Sequence, residues 1–126
     1  MLKSVKTQSS FETDGQLVTK AVLNAADALG VNQGVLAKVI GVSDSTVSRW
    51  VKDGTGLSPT SKAFELCLVF VRLFRSLESI VQDADTSKQW MRNDNTALNG
   101  KPIDLITEVT GLIHVVNYLD ARRTPV

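Results

Sequence analysis

Residues 32–54 read NQGVLAKVIGVSDSTVSRWVKDG, and this stretch decides the fold. Asn32 is a strong helix N-cap, because its side-chain oxygen takes up an amide that the first turn leaves unpaired. A short helix is therefore expected over Gln33–Ile40. Gly41 ends it, since a residue there must turn left-handed, and glycine does so at little steric cost. Ser43 offers the next cap, and a further short helix is expected from Asp44 to about Lys52. Leu36, Ala37, Val42 and Val47 are spaced to pack the two helices on each other, with small Ala37 allowing a close crossing. Trp50 would anchor the far end in the core. Asp44, Ser45, Thr46, Ser48, Arg49 and Lys52 remain outside. Hydroxyl, guanidinium and ammonium groups read base edges or hold phosphates in a major groove. Gln33 sits at a helix N-terminus, where a phosphate is favoured. A solvated face on a small bundle has similar composition, but not this joint placement of Gln33, Gly41, Ser43 and Ser48-Arg49. The pattern is that of a helix-turn-helix, with Gln33, Ser43, Asp44, Ser45, Thr46, Ser48, Arg49 and Lys52 as candidate DNA contacts.

Outward from this motif, the whole chain reads as helical. Residues 1–13 are polar and aperiodic and are expected to form a flexible arm. A helix is expected from Thr13 or Asp14 to Leu29, with Leu17, Ala21, Ala25, Ala28 and Leu29 at helical spacing and Gly30 as its stop. After the loop Asp53–Pro59, with Ser58 as cap and Pro59 in the first turn, a long helix should reach about Gln82. Its apolar residues surround most of its circumference, which suits a central helix or a subunit interface. Phe70, Phe74 and Leu77 are its candidate dimer contacts. Short helices are expected over Ser87–Arg92, Pro102–Thr110 and Leu112–Leu119, with a turn at Asn99-Gly100. The fold class is all-α. It divides into an arm (1–13), a helix-turn-helix domain (14–58), a connecting and dimerisation helix (59–82) and a second small helical domain (83–126).

Composition narrows the function. The chain has 126 residues and a formal charge of +1 from 14 basic and 13 acidic side chains, so DNA binding must come from local charge placement. Residues 1–58 carry six Lys and Arg against five Asp and Glu. A single module should then bind weakly, and specific binding calls for two or more copies on spaced half-sites. One cysteine, Cys67, and one histidine, His114, argue against a disulfide and a zinc site. No nucleophile with a base and an orienting group emerges. The expectation is a non-enzyme without a cofactor, cytoplasmic, with no signal peptide at its N-terminus and no membrane span.

Residues 90–121 read WMRNDNTALNGKPIDLITEVTGLIHVVNYLDA: a short amphipathic helix, an Asn-rich turn, and further helix begun by Pro102. Trp90, Asn95 (or Asn93), Ala97, Leu98, Gly100, Pro102, Asp104, Leu105 and Gly111 together resemble the toxin-binding domain of Xre/MbcA/ParS-type antitoxins. Residues 14–58 similarly resemble Xre/Cro DNA-binding domains, with the helix from Asp44 as the recognition helix. The resemblance implies an antitoxin that occludes a RES-domain toxin acting on NAD and represses their shared operon. It places candidate toxin contacts at Asn99, Gly100, Lys101, Pro102, Tyr118, Asp120, Arg122, Arg123 and Val126. The terminal segment 120–126 departs from the glycine-containing tail of many relatives. Its arginines would suit a pyrophosphate-binding cleft, or would only complement a helix C-terminus. Proline in Thr124-Pro125-Val126 argues that the segment adds little to the core. Two rival readings are a stand-alone, phage-like repressor whose second half only dimerises, and an adaptor that no longer binds DNA.

Overall fold

A computed structural model describes residues 2–123, with side chains described from Asp14 onward. Its elements are α1 (Leu2–Leu29), α2 (Gln33–Ile40), α3 (Asp44–Asp53), α4 (Lys62–Val81), α5 (Ala84–Arg92), α6 (Pro102–Leu105) and α7 (Val109–Arg123). No β-strand occurs among the described residues beyond an isolated bridge between Asn95 and Gly100. The all-α expectation holds.

Local chemistry sets most of the helix ends. The Asn32 side chain accepts from the Val35 amide at 2.9 Å, and Gly41 closes α2 in the left-handed region at φ 81°. Ser43 caps α3 by accepting from the Thr46 amide at 3.2 Å. Asp83 caps α5, its carboxylate accepting from both the amide and the hydroxyl of Thr86. These bonds satisfy amides that the first turn of a helix cannot pair internally.

Several helix ends differ from expectation, among them that of α5, which begins at Ala84 rather than Ser87. Helix α1 begins at Leu2, ahead of the expected start at Thr13 or Asp14. Helix α4 starts at Lys62, capped by Ser61 through the Phe64 amide at 3.1 Å. Ser58 instead opens a turn whose carbonyl receives the Ser61 amide, because a serine three residues closer to the apolar run competes for the cap. Helix α6 stops at Leu105, and α7 is longer than expected at both ends.

Helix α4 is central, packing on both α1 and α7. Its Cys67, Phe70, Leu73 and Leu77 are buried with Val22, Ala25 and Leu29 of α1 and Leu112, Val115, Val116 and Leu119 of α7. One continuous core thus underlies both halves of the chain. Burial pushes the Cys67 thiol up to about 12, the behaviour of a small apolar group rather than a reactive thiol. Two glycines permit close backbone approaches. A Cβ on Gly15 would land on the Leu57 carbonyl oxygen, and one on Gly111 on the Leu105 carbonyl oxygen. The first seats the loop after α3 on α1; the second seats α7 on α6.

The dimer contacts proposed from sequence need correction. Phe70 and Leu77 are 0% and 1% exposed within one chain, and Phe74 is half-buried against the core. Phe70 and Leu77 fill the contact of α4 with its own neighbours and offer no surface to a second copy. Among the described residues, the exposed large apolar side chains are Leu17, Val51, Leu68, Ile80, Val109 and Ile113. Leu17, expected on the inner face of its helix, is 59% exposed.

Candidate functional site

Two surfaces carry the polar groups singled out from the sequence. On α2–α3, Leu36, Ala37, Val47 and Trp50 are buried, which fixes the two helices on each other and turns the opposite side of α3 to solvent. Asp44, Ser45, Arg49 and Lys52 are exposed there, with Thr46 and Ser48 partly so. The side chains form a connected set. The Ser43 hydroxyl lies 3.1 Å from that of Ser45 and 2.8 Å from that of Thr46. Arg49 donates to the Thr46 hydroxyl at 3.3 Å, and Ser48 donates to Gln33 Oε1 at 3.2 Å. The last bond crosses from α3 to the start of α2, so Gln33 and Ser48 form one patch. All eight expected contacts lie on or beside the α2–α3 unit. The sequence reading passed over Val51, an exposed apolar residue that lines a shallow hollow with Asn32 and Gln33. At the exit of α3, Asp53 accepts from the Thr55 amide at 3.0 Å. That bond holds its carboxyl below the usual carboxylate range.

The second surface lies at α5, the 95–100 turn and α7. Asn95 exchanges backbone bonds with Gly100 (2.9 and 3.2 Å), and its side chain accepts from the Leu98 amide at 3.1 Å. Asn93 only donates its amide to the Gln89 carbonyl as the C-cap of α5. It is Asn95, then, that clamps the turn. Asn99 sits at φ 62° and is exposed, as is Lys101. Pro102 is buried and Gly100 half-buried against Leu105. These two expected contacts shape the turn, since little of Pro102 is left for a partner to touch.

The expected C-terminal contacts separate into two groups. Asp120 pairs with Arg72 of α4 and accepts from the buried Ser76 hydroxyl at 2.7 Å. Arg123 donates to the same hydroxyl at 3.2 Å. Both residues tie α7 to α4, so residues 120–123 contribute to the fold, where the terminal segment was expected to add little to the core. Arg122 instead lies over the Tyr118 ring, its guanidinium carbon 3.6 Å from the centroid. Tyr118 in turn stacks with Trp90 at 6.4 Å and 27°. Val126 falls outside the described residues. His114 is exposed on α7, and among the described residues no cluster of three metal-ligating side chains occurs.

Residues 13–72 match the model of the antitoxin Xre-like helix-turn-helix domain, and residues 76–124 that of the antitoxin Xre/MbcA/ParS C-terminal toxin-binding domain. The chain belongs to the Xre/MbcA/ParS antitoxin family. No curated protein matches it at a significant level. The two matches meet inside α4, so the antitoxin's DNA-binding and toxin-binding domains share their central helix. Among the described residues no helix is long and apolar enough to cross a membrane.

Proposed function

We propose that this antitoxin neutralises a RES-domain toxin that consumes NAD, and that it represses its own operon as a cytoplasmic homodimer. The observation that carries the reading is the pairing, on one helical core, of a connected polar face on α3 with a matched toxin-binding domain. The polar face supplies hydroxyl, amide and guanidinium groups of the kind that contact base edges and phosphates. The domain has near-neutral charge, so two copies on spaced half-sites would supply the affinity that one lacks. Asn99, Lys101, Tyr118 and Arg122 are exposed or half-exposed on the second domain and are the toxin contacts retained from the sequence reading.

The second copy needs a surface other than the buried Phe70 and Leu77. We assign it to the groove of about 560 Å³ between α1, α4 and the end of α7. Leu17, Val18, Ala21, Leu68 and Val71 supply its apolar lining. On α4, exposed Glu65 lies three positions before Leu68 and exposed Arg75 three after Arg72, a self-complementary order for an antiparallel pair of α4 helices about a two-fold axis.

The test is co-expression with the protein encoded in the adjacent reading frame. Growth arrest and NAD loss caused by that protein, relieved by this chain in a co-purifying complex, support the reading. Repression of a reporter driven by the operon's promoter supports the DNA-binding half. No arrest, or arrest that the chain does not relieve, refutes neutralisation.

A further inference from the structure

We propose that Arg92, on the toxin-binding domain, is a positioning residue for DNA binding: it braces the corner between α1 and α2 from which Gln33 is presented. The inference rests on the operator-binding reading above and adds to it a residue from outside the helix-turn-helix. The corner is built from three residues. Gly30 leaves α1 in the left-handed region at φ 72°. Its amide donates to the Asp27 carbonyl at 3.2 Å, and the Val31 amide donates to the Ala26 carbonyl at 2.8 Å, the paired bonds of a Schellman ending. Val31 is buried, and Asn32 caps α2 by accepting from the Val35 amide. Gln33 follows as the first residue of α2, its side chain bonded to Ser48 of α3.

The Gly30 carbonyl is met from α5. Arg92 donates to it through Nη2 at 3.3 Å. Lys88 lies one turn earlier on α5 and so on the same side of that helix. A Cβ at Gly30 would lie 3.4 Å from Lys88 Cγ and 3.2 Å from Arg92 Nη2. The last turn of α1 carries no basic residue of its own, so α5 brings the positive charge that a helix C-terminus favours. Val31 in the core fixes one side of the corner, and Arg92 fixes the other. Only Val31 and Asn32 separate the braced carbonyl from Gln33, and both are held, so a displacement at Gly30 carries to the start of α2. Gln33 and Arg92 belong to different matched domains. The toxin-binding domain thus helps set the geometry of the DNA-binding face.

Fluorescence-anisotropy titration of the full-length chain on a duplex carrying the promoter upstream of its own gene tests this. Arg92→Ala should keep wild-type helix content and weaken binding roughly 3- to 10-fold, the reach of one hydrogen bond. Arg92→Lys keeps a donor and should recover most of that loss. Two readouts separate positioning from other roles. In a double-mutant cycle, Arg92→Ala should add little once Gln33→Ala is present, while its loss should multiply with that of Arg49→Ala on α3. Because Gln33 is uncharged, Arg92→Ala should also leave the salt dependence of binding unchanged, whereas loss of a direct phosphate contact would reduce the slope by about one. Wild-type affinity in Arg92→Ala or in Gln33→Ala would overturn the proposal. So would losses that multiply in both cycles, a reduced salt slope, a loss of helix content, or an Arg92→Lys protein as weak as Arg92→Ala. If wild type itself fails to bind the duplex, the operator-binding reading falls first and this brace with it; if wild type binds and Arg92 behaves otherwise, only the brace falls.

Discussion

At Gly111 the backbone of α7 passes so close to α6 that any side chain would meet the Leu105 carbonyl. Neither partner can swing away, since both are backbone. Gly111→Ala should therefore destabilise the fold by roughly 3 kcal/mol, the upper end of ordinary overpacking. Urea unfolding followed by circular dichroism would show it as a lower midpoint. A different residue-scale effect belongs to Asp83. Bonds from the hydroxyl and amide of Thr86, at 2.6 and 2.9 Å, hold its carboxyl below the usual carboxylate range. The sign of the pH dependence follows. The unfolded chain takes up the proton first, so the cap's contribution is present above about pH 4 and is lost as pH falls through the lower folded value. Asparagine keeps the acceptor and cannot be protonated, so Asp83→Asn should show a flatter acid limb of stability. Thermal midpoints measured between neutral pH and pH 2 would reveal an unchanged slope if the cap were idle.

At the scale of elements, α3 is stiffened by its own side chains. Ser43, Ser45, Thr46 and Arg49 are joined by hydroxyl and guanidinium bonds, all of them exposed and so free to exchange for bonds to DNA. Arg49→Ala and Ser45→Ala should each weaken operator binding by about 1–3 kcal/mol with no loss of helix. Mobility-shift titration at fixed salt gives the affinity, and wild-type values in both would remove α3 as the reading helix. This element was legible in the sequence because its determinants are local: Asn32, Gly41 and Ser43 fix its ends within a few residues of one another. The start of α4 was less legible, since Ser58-Pro59 and Ser61 both offer cap chemistry and only packing decides between them. The 95–100 turn was visible through Asn99-Gly100, yet the clamp by Asn95 depends on a bond across the turn. The Trp90–Tyr118 stack joins residues 28 positions apart, and no local pattern announces it.

For the molecule as a whole, the orientation of α4 was the least readable feature and has the largest consequence. A helix apolar on nearly every side could be rotated several ways in the core, and only the positions of α1 and α7 select one. That choice buries Phe70 completely and leaves Leu68 47% exposed at the groove lined also by Leu17. Two substitutions a half-turn apart should therefore behave oppositely. Phe70→Glu places an unpaired carboxylate in the shared core and should abolish folding, since burying a lone charge costs several kcal/mol. Leu68→Glu puts the same carboxylate in water beside Arg72, so the monomer should stay folded. If the groove joins two copies, that carboxylate is desolvated on association, and light scattering should report a monomer where wild type is a dimer. Operator affinity should fall with it, because a single near-neutral domain loses the second half-site contact. A Leu68→Glu protein that remains dimeric with unchanged operator affinity would move the interface away from α1 and α4. Val109 and Ile113, exposed on α7, would then be the next surface to test, with Ile113→Asp as the first variant.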